Sequence, residues 1–185
     1  MKYFILLALS FNLSQGLAQN PASCSLSIFK GVGDILLELT TLEDVTDICP
    51  NCVIEKRRHN RTGITPKFVE KIVFFDSLGL EIHLQKQKHS KNYLVYHIRL
   101  KESCPCMTIN GLGIGSTYND VSKIHPTILT EHTNRLMRSV HKGKKRTFFK
   151  MGQNSVHVTF YSKGWIESQS FVINEIQLHT SNLIF

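Results

Sequence analysis

Two stretches of this chain match each other, and no other feature constrains the fold as strongly. TLEDVTDICP at 41–50 reads against TYNDVSKIHP at 117–126, with Thr, Asp, Val, Ile and Pro coinciding at an offset of 76. Two weaker matches follow in the same order. FDSLG at 75–79 pairs with FYSKG at 160–164, and YLVYHIRL at 93–100 with FVINEIQL at 171–178. A fixed order of matches separated by gaps is the signature of an internal duplication.

Each copy has a local physical reading. Thr41 and Thr117 sit where an N-cap hydroxyl accepts from an unpaired backbone N–H, and Asp44 and Asp120 follow three residues later, as in a capping box. Pro50 and Pro126 stop both short helices. Apolar alternation then predicts strands over 71–76, 80–85 and 93–100 in the first copy, and over 155–161, 165–169 and 171–179 in the second. Residues 35–39 and 107–114 add a strand before each helix. Ser77-Leu78-Gly79 and Ser162-Lys163-Gly164 read as tight turns. The expected fold is α+β: two tandem modules, 19–103 and 104–185, each a short helical layer packed on an antiparallel β-sheet.

This order resembles the tandem modules of secreted β-lactamase-inhibitor proteins and the related small lipoproteins of outer-membrane assembly. The resemblance lies in the lead-in Gly113-Ile114-Gly115-Ser116-Thr117, the Asp-Val helix and the later Phe-x-Ser-x-Gly turn, over about residues 35–180. It implies a protein-binding scaffold and carries over no inhibitory residue.

The N-terminus reads as an export signal. Lys2 precedes an apolar run over 3–13, and Gly16-Leu17-Ala18 supplies a cleavage site, so residues 1–18 form a signal peptide. The run is too short to span a bilayer, and the mature chain has no transmembrane span. The expected location is secreted or periplasmic. Ala22-Ser23-Cys24 offers a second route, lipidation of Cys24 and membrane anchoring.

Export makes thiol oxidation the first reading of the cysteines. Cys49 and Cys52 form one close pair and Cys104 and Cys106 another; these four are the disulfide candidates, with cross-pairing between the clusters tying the first helix to the second module. The same four could instead hold zinc as thiolates, or Cys49 and Cys52 could exchange electrons as a dithiol. Cys49 lies at a helix C-terminus, where the dipole disfavours a thiolate.

The formal net charge is +8, and the positive residues cluster. Lys56, Arg57, Arg58 and Arg61 follow the first helix; Arg135, Arg138, Lys142, Lys144, Lys145 and Arg146 follow the second. Equivalent places in two copies predict one shared basic face that attracts an anionic polymer or lipid. No nucleic-acid recognition motif is present. Nine histidines raise a metal reading, but no His-x-His pair places two on one strand face, and His83, His97, His157 and His179 read as ordinary surface or half-buried side chains. No nucleophile elbow or phosphate loop occurs. The sequence therefore favours a non-enzymatic exported scaffold without a cofactor, binding a macromolecule through its sheet surface or basic loops. The alternative is a thiol-redox or zinc-dependent protein.

Overall fold

The structure, a computed structural model, describes residues 24–59, 68–86, 91–126 and 136–181; the signal peptide expected over 1–18 lies outside them. Among the described residues strand accounts for 52% and helix for 15%, so the fold is mostly β rather than α+β. The short strands β1 (Leu26–Ser27), β2 (Gly31–Val32) and β3 (Ile35–Leu36) make a small antiparallel sheet. Helix α1 (Leu42–Ile48) leads into β4 (Val53–His59), β5 (Phe68–Phe75), β6 (Leu80–Lys86) and β7 (Tyr93–Leu100). Helix α2 (Tyr118–Ile124) leads into β8 (Met137–His141), β9 (Lys144–Gln153), β10 (Val156–Lys163) and β11 (Glu175–Thr180).

The last eight strands form one antiparallel sheet in the order β4-β5-β6-β7-β11-β10-β9-β8. Two four-stranded runs thus meet at β7 and β11, and the expected pair of separate helix-on-sheet modules is replaced by a single continuous sheet. The physical reason lies in the apolar rows. Residues registered opposite one another share a face. Val73, Ile82, Ile98, Leu178, Val158 and Met151 form one such row across six strands. Phe75, Leu80, Leu100, Ile176, Phe160 and Phe149 form the next. Every member is buried, and all join one core with Leu26, Val32, Ile35, Leu112, Phe171 and Ile173 from the segments that cover this face. A boundary at 103/104 would cut both rows.

Both helices have seven residues, or about 10 Å of length, too short to act as a layer. Each buries one residue, Val45 or Val121. Local chemistry fixes their ends. Thr41 Oγ1 accepts from the Asp44 backbone N–H at 3.2 Å while Asp44 Oδ2 accepts from the Thr41 N–H at 2.7 Å. Thr117 and Asp120 repeat the exchange at 3.2 and 2.8 Å. Cys49 and His125 occupy the C-caps, directly before Pro50 and Pro126.

Other elements depart from expectation. The basic stretches read as loops contain strands β4, β8 and β9. Residues 165–169 are not a strand; β10 instead continues through Lys163, and a short 3-10 turn occupies Ser168–Ser170. Gly79 does close a turn between β5 and β6 in the left-handed region, at φ 62°, where a side chain is disfavoured.

Candidate functional site: the polar face of the sheet

The face opposite the core carries charge and imidazole. Its central row is His83 on β6, His97 on β7, His179 on β11 and His157 on β10, each registered against the next. Ring centroids are 4.5 Å apart for His83 and His97, 6.5 Å for His97 and His179, and 5.2 Å for His179 and His157. No sequence spacing announces this row, because each member is the only histidine on its strand's polar face and the register alone aligns them.

A β-bulge builds one end of the site. His83 pairs with His97 but Leu84 pairs with Val95, so Tyr96 has no opposite residue on β6. The extra residue re-aims its side chain, and the Tyr96 hydroxyl donates to Glu70 Oε2 at 2.5 Å. His59 Nε2 lies 2.8 Å from Glu70 Oε1, and His83 Nδ1 lies 3.4 Å from Glu70 Oε2. The Glu70 side chain is only 4% exposed. Burial by itself would raise its pKa, but the bonds from His83, Tyr96 and His59 outweigh that and hold the carboxyl at about 2. Burial and the same carboxylate push the Tyr96 phenol up.

The charges continue across the sheet. His83 Nε2 stands 3.9 Å from Glu81, and Glu81 takes bonds from Lys101 at 2.6 Å and Arg99 at 3.0 Å. Arg99 also donates to Glu175 at 2.7 Å, and Arg146 approaches Glu175 at 3.5 Å. The Arg146 guanidinium lies over the Tyr161 ring at 4.5 Å. A ribbon of hydrogen bonds and ion pairs therefore runs from His59 on β4 to Arg146 on β9. Four buried nitrogens in it have no hydrogen-bond partner among the described residues: His83 Nε2, His97 Nε2, Arg99 Nε and Arg146 Nε.

Burial lowers His97 to about 3, and neighbouring His83, His179 and Arg99 add to the effect. Burial also lowers His179, with help from His157 and Lys150. Acid should therefore destabilise the fold. The unfolded chain binds the His97 proton near the ordinary value of 6.5 and the folded chain only near 3, so the stability held above 6.5 is lost as pH falls through that window, at about 1.4 kcal/mol per pH unit. Glu70 adds a second loss between 4.5 and about 2. Urea midpoints measured from pH 7.5 down to pH 4 should fall steeply below 6.5, and His97→Gln should flatten the slope. A flat wild-type profile between pH 7 and 5 would contradict the neutral burial of His97.

The basic residues singled out in the sequence do not converge. Lys56, Arg57 and Arg58 lie on β4, one edge of the sheet; Arg138 lies on β8, the other edge, with Lys142 in the following turn and Lys144, Lys145 and Arg146 on β9. Arg61 and Arg135 lie outside the described residues. Equivalent sequence places fall at opposite ends because the two four-stranded runs join at their last strands. The single basic face is thereby corrected to two separated edges. Arg57 pairs with Glu55 at 2.8 Å, and charge on an exposed edge strand discourages pairing with another chain.

The cysteines pair differently from expectation. Cys24 is bonded to Cys106 and Cys49 to Cys52, leaving Cys104 as the thiol. The expected cross-pairing of the two clusters is not formed, and the Cys24 sulfur needed for lipidation is in the bond to Cys106. Parallel pairing of Ser25 with Met107 brings residues 24 and 106 together. Burial raises the Cys104 thiol, which sits 3.1 Å from Cys106 Sγ. Among the described residues no group of three or more His, Cys, Asp or Glu side chains is arranged to hold a metal ion. No described helix is long and apolar enough to cross a membrane.

Comparison with known proteins adds no assignment: the chain matches no protein-family model, no curated protein and no solved structure.

Proposed function

We propose that this is an exported protein that works by binding, and that the polar face of β6, β7, β11 and β10 receives another protein. The observation carrying this reading is the row of four histidines and the ribbon of hydrogen-bonded and ion-paired side chains gathered on that one face. The exposed parts of these side chains, such as the Arg99 and Arg146 guanidinium groups, suit the backbone carbonyls and side-chain oxygens of a protein surface, and the fixed ion pairs orient them. The resemblance to secreted inhibitor modules points to the same partner class.

Two further observations support the reading. General acid–base catalysis works best with a pKa near the working pH; Glu70 near 2 and His97 near 3 are far from neutrality. Two disulfides suit an oxidising compartment.

A photo-crosslinker placed at Gln177 in the centre of the face should give one discrete adduct with the host's envelope fraction. Excess unlabelled protein should compete it away, and Lys150→Glu, on the same face beside Thr159, should weaken it at least tenfold. The same crosslinker at Lys56 should give none. Absence of an adduct from Gln177, or equal adducts from both positions, would refute a specific protein site here.

A further inference from the structure

We infer that the β8–β9 hairpin is a docking point for an anionic phospholipid surface. The hairpin closes through Lys142 and Gly143, both at positive φ (48° and 74°), with His141 registered against Lys144. That two-residue geometry makes a tight, rigid tip. Lys142, Lys144 and Lys145 project there, and none has an acidic partner among the described residues. Two acids on the neighbouring segments pair with other cations: Glu167 with Arg138 at 3.6 Å and Glu102 with Lys163 at 2.5 Å.

The tip also carries exposed apolar surface. Val140, 60% exposed, is registered opposite Lys145. Trp165, 48% exposed, lies under the Lys145 ammonium at 4.4 Å. The indole is held out on a built platform rather than a loose loop. The Gly164 N–H donates to the Lys145 carbonyl at 2.9 Å, and the Ile166 N–H donates to Thr147 Oγ1 at 3.0 Å. That hydroxyl in turn donates to the Gly164 carbonyl at 2.9 Å, and Thr147 is fully buried. Both flanks of Trp165 are thus clamped to β9 while its ring faces outward.

This combination selects the partner. A soluble polyanion uses the cations and gains nothing from an exposed indole beside a valine. A bilayer interface uses both: lysines approach the phosphates, while indole rings favour the headgroup depth. The inference is independent of the polar-face reading, since it uses the sheet edge and different residues.

Trp165 is the only tryptophan in the chain, so intrinsic fluorescence reports this site alone. The exported protein is titrated with vesicles of phosphatidylcholine and phosphatidylglycerol in equal parts, with vesicles of phosphatidylcholine alone, and with heparin. Co-sedimentation and a blue-shifted emission are expected with the anionic vesicles only, weakening as salt rises. The triple variant Lys142→Gln, Lys144→Gln, Lys145→Gln should bind about a hundredfold more weakly, at roughly fivefold per lysine. Trp165→Ala should also weaken sedimentation. Lys56→Gln with Arg58→Gln, on the far edge, should change nothing. Heparin binding without vesicle binding would overturn the inference in favour of a polyanion site. Failure to bind either ligand, or equal binding to neutral vesicles that the triple variant leaves intact, would also overturn it.

Discussion

Arg99→Leu is expected to lower unfolding free energy by about 3 kcal/mol, the low end for breaking a buried ion pair. Arg99 on β7 bridges two carboxylates, Glu81 at 3.0 Å on β6 and Glu175 at 2.7 Å on β11, the strands on either side of it. Both glutamates are largely buried, and each keeps one other cation, Lys101 at 2.6 Å for Glu81 and Arg146 at 3.5 Å for Glu175, which holds the loss to the low end of that range. The Arg99 side chain is 33% exposed, which keeps the loss below that of a fully enclosed pair. Lys163→Leu is the control: its pair with Glu102 is exposed, and it should cost only a few tenths of a kcal/mol. Urea unfolding at neutral pH distinguishes the two; equal losses would mean that the ribbon is no more than surface charge.

Loss of the Cys24–Cys106 bond is expected to cost still more. It closes a separation of 82 residues, worth about 4.5 kcal/mol in the chain-entropy account. The Cys49–Cys52 bond spans a separation of 3 and should contribute about 1.6 kcal/mol on the same account. Cys104 lies beside Cys106 and can take over a broken pairing, so the measurement belongs in a Cys104→Ala background. There, Cys24→Ala should lower the urea midpoint more than twice as far as Cys49→Ala with Cys52→Ala. A smaller shift for Cys24→Ala would show that the N-terminal segment is held by packing of Leu26, Ile28 and Val32 rather than by the bond. The long link matters because it fastens the small sheet over the apolar rows of the large one.

The sequence by itself determined the features that depend on near neighbours. Thr41 with Asp44 and Thr117 with Asp120 specify both helix starts because a capping box is closed within four residues. The alternation over 71–76, 80–85, 93–100 and 155–161 marks four strands, which run over 68–75, 80–86, 93–100 and 156–163, because one face of each meets the core. Tertiary structure decided the rest. Strands β4 and β8 border the sheet, so both of their faces tolerate charge and their residues read as basic loops. Helices of two turns could not form a layer, and the pairing of β7 with β11 merged the expected modules into one core. The union of Cys24 with Cys106, the four-histidine row and the Tyr96 bulge all depend on register between residues distant in sequence. A side chain's face repeats every two residues along a strand, but which strand lies beside it is decided only when the whole sheet closes over its core.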